Sequence, residues 1–242
     1  MTEPIQVHDL HKSFGAQTVL DGIGLEVRQG ETLAVMGRSG TGKSVLLKLL
    51  IGLEAPDSGS VSIQGQEIAG LGTQQLNEIR KKVGFLFQQA ALYDSLTIEE
   101  NVIFPMNRHF RMPRAEQKRR ARELLASVGM EKDLDKLPSQ ISGGMQKRAG
   151  VARALALDPE ILLFDEPTAG LDPITAAEIG GLIVDLKKKR HMTAVVVTHD
   201  IRGARTFADR AVLVHEGKIV AEGNLAEMQK SQDPFVKQFF AG

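Results

Sequence analysis

The stretch Gly37-Arg38-Ser39-Gly40-Thr41-Gly42-Lys43-Ser44 lies between the apolar run Thr32–Met36 and the apolar helical segment Lys43–Leu50. Its glycines let backbone N–H groups close around phosphate oxygens in conformations that a Cβ would obstruct. The helix that begins near Lys43 directs its positive end at the anion. We expect Lys43 to neutralise the β- and γ-phosphates of a nucleotide and the Ser44 hydroxyl to bind Mg²⁺. The stretch therefore predicts a phosphate-binding loop between a strand and a helix.

Two carboxylates, Asp165 and Glu166, follow the apolar run Ile161–Phe164. In a parallel sheet the carboxyl end of a strand opens into the ligand crevice. Asp165 is therefore expected to hold Mg²⁺, directly or through water, and Glu166 to reach the attacking water. An acidic loop after a strand is common, so the pair becomes informative only because a phosphate loop precedes it; together they indicate a Mg-nucleotide site.

Two further polar residues also follow predicted strands. His199 comes just after Ala194–Val197 and is expected to polarise or sense the γ-phosphate. Gln88 follows Val83–Phe87, and its amide can contact the metal or orient water. A structural histidine and a surface glutamine are the ordinary alternatives. The predicted catalytic group is thus Lys43 and Glu166 with these two residues.

A second glycine pair lies in Ser142-Gly143-Gly144, which leads into a helix predicted to run to about Leu157. Ser142 is a plausible N-cap, and the glycines expose backbone donors at the helix start. Capping explains the serine but not two successive glycines, which weaken a helix start unless something approaches closely. The turn is therefore predicted to bind a phosphate.

The order of elements predicts an α/β fold with an N-terminal antiparallel β subdomain and an inserted helical subdomain. Strand-like runs fill the first segment, residues 1–90. The inserted segment, 91–150, opens with a capping box at Thr97 and Glu100 and contains no strand pattern. The core resumes over 151–223 and ends in a hairpin, and a tail of two short helices is expected over 224–242.

Composition limits the classes of function. Thirty basic residues balance 30 acidic ones, which argues against a nucleic-acid partner bound through bulk positive charge. The absence of cysteine excludes disulfides, thiolate metal sites and a Cys nucleophile. Met1–Asp9 has no signal-peptide pattern, and the apolar runs are far shorter than the roughly 20 residues of a membrane span. A basic cluster between Arg111 and Arg122 is more simply a solvated helix face than a headgroup site.

Taken together, the motifs resemble those of the ABC ATPase family over essentially the whole chain. The resemblance rests on the phosphate loop, Gln88, Ser142-Gly143-Gly144, Asp165-Glu166, Ala169-Gly170-Leu171-Asp172 and His199. It implies a P-loop NTPase core that hydrolyses ATP with Mg²⁺. It also implies a homodimer with two shared sites, in which Ser142, Gly143 and Gly144 of one subunit bind the ATP of the other. Phe14 lies where the family places an aromatic residue that stacks on adenine.

One departure from the family pattern is Met145, where the usual signature has glutamine. This variant is similar to the ATPases of the Mla/Mce phospholipid-transport systems (MlaF type). The similarity extends to Gln89–Thr97, Asn101-Val102, Asp172–Thr175 and the tail Asp233–Phe240. It implies phospholipid as cargo between the two membranes of a diderm envelope.

The same resemblance implies integral-membrane permease subunits and, in addition, a small regulatory subunit and an Mce-type substrate-binding protein. The expected location is the cytoplasmic side of the inner membrane, reached through those partners. An importer of polar solutes that uses the same kind of ATPase domain is the alternative. A non-transport ABC ATPase fits less well, because the chain lacks the long coiled coil of repair types and the second domain of ribosomal types.

Overall fold

The computed structural model describes residues 3–241, so Met1, Thr2 and Gly242, at the ends of the predicted first and last segments, lie outside it. The described strands are β1 (Ile5–Phe14), β2 (Gln17–Val27), β3 (Thr32–Met36), β4 (Ser58–Ile63), β5 (Gln66–Glu67), β6 (Val83–Leu86), β7 (Ile161–Asp165), β8 (Thr193–Thr198), β9 (Arg210–His215) and β10 (Lys218–Gly223). The α-helices are α1 (Lys43–Leu50), α2 (Thr73–Lys81), α3 (Ile98–His109), α4 (Arg114–Ser127), α5 (Gly143–Ala154), α6 (Pro173–Arg190), α7 (Ile201–Phe207), α8 (Leu225–Met228) and α9 (Pro234–Ala241).

The larger sheet has the order β10-β9-β3-β8-β7-β6. Its strands β9, β3, β8, β7 and β6 are parallel, and β10 pairs antiparallel with β9 in the predicted hairpin. The register pairs Met36 with Thr198 and Asp165 with Val197. The carboxyl ends of β3, β8 and β7 therefore meet at one edge of the sheet. The phosphate loop, Asp165 and His199 lie at this edge.

These strands are continuously apolar because both faces of the sheet are buried. In β3, Leu33 and Val35 face one hydrophobic cluster, while Ala34 and Met36 face the other. The first cluster also contains α1 and the smaller antiparallel sheet, of order β2-β1-β4-β5. The second is built with the helices on the opposite face. The sheet that carries the motifs is thus held rigidly between two cores.

Three helices, α3, α4 and α5, lie between β6 and β7 in the chain. The predicted capping box is confirmed at the start of α3, since the Thr97 hydroxyl accepts from Glu100 N at 3.2 Å and the Glu100 carboxylate accepts from Thr97 N at 3.0 Å. Leu124 and Leu125 of α4, and Val128 just after it, are buried. These contacts fix the helices against the sheet.

Some elements differ from the sequence prediction. Helix α5 ends at Ala154 rather than near Leu157, because the chain turns through a left-handed Asp158 into β7. Helices α2 and α7 were not predicted: α2 is mostly polar and buries only Ile79, and α7 is a single short segment capped by Asp200. Between residues 3 and 241, every helix is too short or too polar to cross a bilayer.

Candidate nucleotide site

The phosphate loop closes around the ammonium group of its own lysine. Lys43 is 5% exposed, and its Nζ donates to the carbonyl oxygens of Gly37 and Arg38, both at 2.9 Å. Burial lowers the pKa of Lys43, and the carboxylates of Glu166 and Asp165 oppose that shift. The two carbonyls accept N–H groups of Lys43 that could instead donate to a phosphate. The loop is therefore already folded around this ammonium group before a phosphate binds.

Two glycines explain the shape of the loop. Gly42 has φ +90°, and a Cβ there would lie 2.8 Å from the carbonyl oxygen of Val19, so no other residue fits. Gly40 has φ +80°, and a Cβ there would project into open space. The left-handed backbone at Gly40 therefore borders open space, and glycine-rich turns of this kind bind anions through their backbone N–H groups. A bound phosphate fits this part of the loop.

Ser44 and Asp165 supply the donors expected for a divalent cation. The Ser44 hydroxyl donates to Asp165 Oδ1 at 2.7 Å, which joins the start of α1 to the end of β7. Burial raises the pKa of Asp165, and the hydrogen bond from Ser44 opposes the rise. A hydroxyl and a buried carboxylate are hard oxygen ligands of the kind Mg²⁺ prefers. Mg²⁺ therefore fits these two residues.

The carboxylate of Glu166 lies between two basic groups. His199 Nδ1 is 3.0 Å from Oε1 and 2.9 Å from Oε2, and Lys43 Nζ is 3.8 Å from Oε1. Glu166 is 8% exposed and has a left-handed backbone, with φ +47°. Such strain in a non-glycine residue persists only where its surroundings hold it, and it is concentrated at functional sites. The structure thus brings Lys43, Ser44, Asp165, Glu166 and His199 together.

Gln88 lies at the same edge, and its backbone makes a contact that the sequence did not predict. Its side chain is exposed and makes no hydrogen bond within residues 3–241, whereas its carbonyl accepts from the Nζ of Lys147. Lys147 is 5% exposed and also donates to the carbonyl of Glu166 at 3.0 Å. Burial lowers the pKa of Lys147, against the opposing charges of Asp165 and Glu166. Sequence reasoning missed this lysine, because Gln146-Lys147-Arg148 has the pattern of a solvated helix face.

The Ser142 turn is built as predicted but does not reach the phosphate loop of its own chain. Ser142 caps α5, accepting from Met145 N at 3.3 Å, and both Ser142 and Gly143 are exposed. Gly144 is buried against Thr175. No hydrogen bond or ion pair among the described residues joins this turn to Gly37–Ser44. Beside it lies a cleft of 480 Å³ between the start of α5, the turn after β6 and the Ala169–Leu171 loop.

Two aromatic side chains lie beside cationic groups. Phe14, the predicted adenine-stacking residue, is 47% exposed, with Lys12 Nζ 5.1 Å from its ring centroid. Phe235, in α9, stacks on His215 with centroids 3.6 Å apart and lies 5.7 Å from the guanidinium carbon of Arg38. The tail therefore contacts the phosphate loop, which nothing in its sequence pattern indicated.

Comparison with known proteins now gives the family. The family model described as ABC transporter matches residues 20–169, more than half of the chain. This chain belongs to the ABC transporter family. A solved ATP-binding cassette, dimeric and bound to ADP and Pi in a post-hydrolysis state, superimposes with a TM-score of 0.85 at 36% identity, covering 91% of this chain and 98% of that one. The cbiO1 cassette of Clostridium perfringens gives 0.87 at 28% identity, over 98% and 94%. The predicted ABC ATPase fold is confirmed, and the chain carries the family's ATPase domain.

Curated relatives carry different transport names. The probable ribonucleotide transport ATP-binding protein mkl of Mycobacterium tuberculosis is 42% identical over 98% of this chain, which spans 66% of that protein. The methionine import ATP-binding protein MetN of Mesorhizobium japonicum is 42% identical over 90% of the chain and 60% of its own length. The intermembrane phospholipid transport protein MlaF of Haemophilus influenzae is 38% identical over 98% of the chain and 90% of its length. The chain thus spans about two thirds or less of the first two relatives.

Proposed function

We propose that this ABC ATPase domain is the ATP-hydrolysing subunit of a transporter that moves phospholipids between the inner and outer membranes of a diderm bacterium. The observation that carries the enzymatic part is the Glu166 carboxylate, held by His199 and Lys43 beside the Ser44–Asp165 pair. A buried carboxylate next to a phosphate loop is placed to take a proton from water as that water attacks the γ-phosphate.

Each residue has a defined task in this hydrolysis. Lys43 leaves the carbonyls of Gly37 and Arg38 and neutralises the β- and γ-phosphates. Mg²⁺ held by Ser44 and Asp165, with Gln88 as a further ligand, would neutralise charge on the same phosphates. Glu166 orients and deprotonates the water. His199 holds the Glu166 carboxylate through Nδ1, which leaves Nε2 to contact the γ-phosphate.

In a homodimer, the Ser142 turn of one subunit completes the nucleotide site of the other. Ser142 and Gly143 are exposed at the positive end of a 12-residue helix. Among the described residues, neither makes a hydrogen bond to the phosphate loop of its own chain. In a head-to-tail dimer, Ser142, Gly143 and Gly144 bind the γ-phosphate held by the partner's loop. The likeness to a dimeric cassette with bound ADP and Pi supports this arrangement. Phe14, half-exposed at the end of β1, then stacks on adenine.

A permease docks on the groove between β6 and α3. This groove, of 390 Å³, is lined by Phe87, Tyr93, Phe104 and Pro105, and Tyr93 is 46% exposed. Exposed aromatic residues with a polar tip are typical anchors at protein interfaces. Docking here places the ATPase on the cytoplasmic face of the inner membrane. A small regulatory subunit and an Mce-type substrate-binding protein complete the proposed assembly.

The cargo assignment depends on Met145, the tail and the relative MlaF. Of the three named relatives, MlaF is matched over the largest share of its own length, 90%. The MetN relative, at 42% identity, favours the alternative, an importer of polar solutes that uses the same kind of ATPase domain.

The ATPase assignment is tested with Glu166→Gln and a matched control, Glu160→Gln. Glu160 precedes β7 at its other end, is exposed, and contacts Gln64 rather than the phosphate loop. We expect Glu166→Gln to lower kcat by about 10²–10⁴-fold, or about 3–5 kcal/mol in the barrier, while ATP still binds. Glu160→Gln should keep the wild-type rate. Hydrolysis by Glu166→Gln at the wild-type rate would show that Glu166 is not the base.

The cargo is tested on the native complex. Affinity purification of the chain from its own membranes, followed by mass spectrometry, should find permease subunits, an Mce-type protein and bound phospholipid. An amino-acid or sugar permease in their place would overturn the lipid assignment and leave the ATPase assignment intact.

A further inference from the structure

Two side chains of α5 donate hydrogen bonds to the turn that follows β6. This turn, Gln88–Ala91, contains two successive left-handed alanines, Ala90 with φ +58° and Ala91 with φ +50°. Arg153 donates to the carbonyls of both alanines at 2.6 Å, and Lys147 donates to the carbonyl of Gln88. Because non-glycine residues adopt left-handed backbone at a cost, these contacts hold the turn in its observed shape.

Only one of the two side chains also reaches the reaction centre. The Nζ of Lys147 lies 3.0 Å from the carbonyl oxygen of Glu166, which additionally accepts from Ala169 N at 3.2 Å. Glu166 N in turn donates to the carbonyl of Val197 at 2.9 Å. Three hydrogen bonds therefore hold the backbone of Glu166 in its left-handed conformation, and of these three only the one from Lys147 comes from outside the sheet edge and the Glu166 loop.

Burying this ammonium group costs free energy, so its two hydrogen-bond acceptors indicate its role. Lys147 is 5% exposed and hydrogen-bonds to two backbone carbonyls, so its desolvation is only partly compensated. An apolar side chain of the same length would fill the space. What such a side chain could not do is join the two carbonyls, which belong to residues whose side chains serve the nucleotide site.

The geometry points to Lys147 as a positioning residue, which sets the direction of the Glu166 carboxylate through the Glu166 backbone and links it to the Gln88–Ala91 turn. The inference rests on the proposed ATPase function and deepens it. The turn borders the groove proposed for the permease, since Ala91 lines that groove.

The test compares Lys147→Met with Arg153→Met in the full-length chain. Arg153→Met removes only the hydrogen bonds to the carbonyls of Ala90 and Ala91, whereas Lys147→Met removes those to Gln88 and Glu166. We expect Lys147→Met to lower kcat by about 10- to 100-fold with the KM for ATP within about twofold of wild type, since small misplacements of a catalytic group cost rates of this order. Arg153→Met should keep kcat of the isolated chain within about twofold.

Hydrogen exchange gives a second readout. The amide of Ala169 reports on the Glu166 carbonyl, so the peptide 166–171 should exchange about 10-fold faster in Lys147→Met and at the wild-type rate in Arg153→Met. Equal kcat in the two variants, or unchanged exchange of this peptide in Lys147→Met, would overturn the proposal.

A third variant covers the case in which Lys147→Met does not fold. Lys147→Ala also removes both hydrogen bonds but places no long apolar side chain at the buried position, so the peptide 166–171 should exchange faster than in wild type. Exchange equal to that of Arg153→Met would reject the role of Lys147. A wild-type chain that hydrolyses no ATP would instead reject the proposed function, so the two failures are distinguishable.

Discussion

Replacement of Gly144 by alanine tests how the Ser142 turn is held. An ideal Cβ at Gly144 would lie 2.3 Å from Thr175 Cγ2 in α6, whereas carbon atoms pack best at about 3.5–4.0 Å. Thr175 cannot rotate freely, since its hydroxyl donates to Asp172 Oδ2 at 2.5 Å. The start of α5 must therefore move away from α6. Overpacking of this kind costs about 2 kcal/mol, or about 4–8 °C in Tm for a domain of this size.

Gly143→Ala is the matched control for this change. Its Cβ would meet only Leu171 Cδ2 at 3.7 Å, an ordinary contact, and alanine in place of a helical glycine gains up to about 1 kcal/mol. The neighbouring substitutions should thus change the free energy of unfolding in opposite directions. Both are measured by denaturant and thermal unfolding without nucleotide, so lost ATP contacts cannot contribute.

A second-site substitution makes the test specific. Thr175→Ser removes the methyl group that clashes but keeps the hydroxyl that binds Asp172. In the Gly144→Ala background it should restore most of the lost stability, giving a coupling energy of about 1–2 kcal/mol. A Gly144→Ala chain with the wild-type midpoint, or a double variant no more stable than Gly144→Ala, would refute the packing argument.

Three further predictions address the shared site, acid stability and a buried amide. Ser142→Arg should abolish ATPase activity while the isolated chain binds ATP within about twofold of wild type; normal turnover would contradict the shared site. Burial raises the pKa of Glu31, but hydrogen bonds from Arg210 and the Arg28 N–H outweigh it and lower the pKa below 4.5. The carboxylate therefore stabilises the fold above pH 4.5, and this contribution is lost as pH falls through the lowered pKa. Glu31→Gln should cost stability at pH 7 and progressively less below pH 4.5 in unfolding titrations; a pH-independent difference would contradict this. Asn101, fully buried and bonded to the backbone of Tyr93, should cost about 3 kcal/mol when changed to leucine, and a loss under about 1 kcal/mol by denaturant unfolding would be inconsistent with its hydrogen bonds.

Local signals account for the parts of the fold that were predicted. The phosphate loop, the capping box at Thr97 and the buried strands are specified by residues adjacent in the chain, so glycine spacing, side-chain capping and apolar runs indicate them directly. Helix α2 escaped prediction because only two of its nine residues, Leu76 and Ile79, are apolar, too few to establish a helical period.

Contacts between distant segments were not predictable in the same way. The sequence alone determined that a phosphate loop, two carboxylates, a histidine and a second glycine turn follow strands or start helices, because those features are local. Only the tertiary structure decided that Lys147 is buried and joins Gln88 to Glu166, and that Phe235 stacks on His215 beside the phosphate loop. A lysine within a polar helix stretch looks solvated in any sequence. Whether it is buried depends on which strand ends lie beside the helix, and strand order is set by packing over the whole chain.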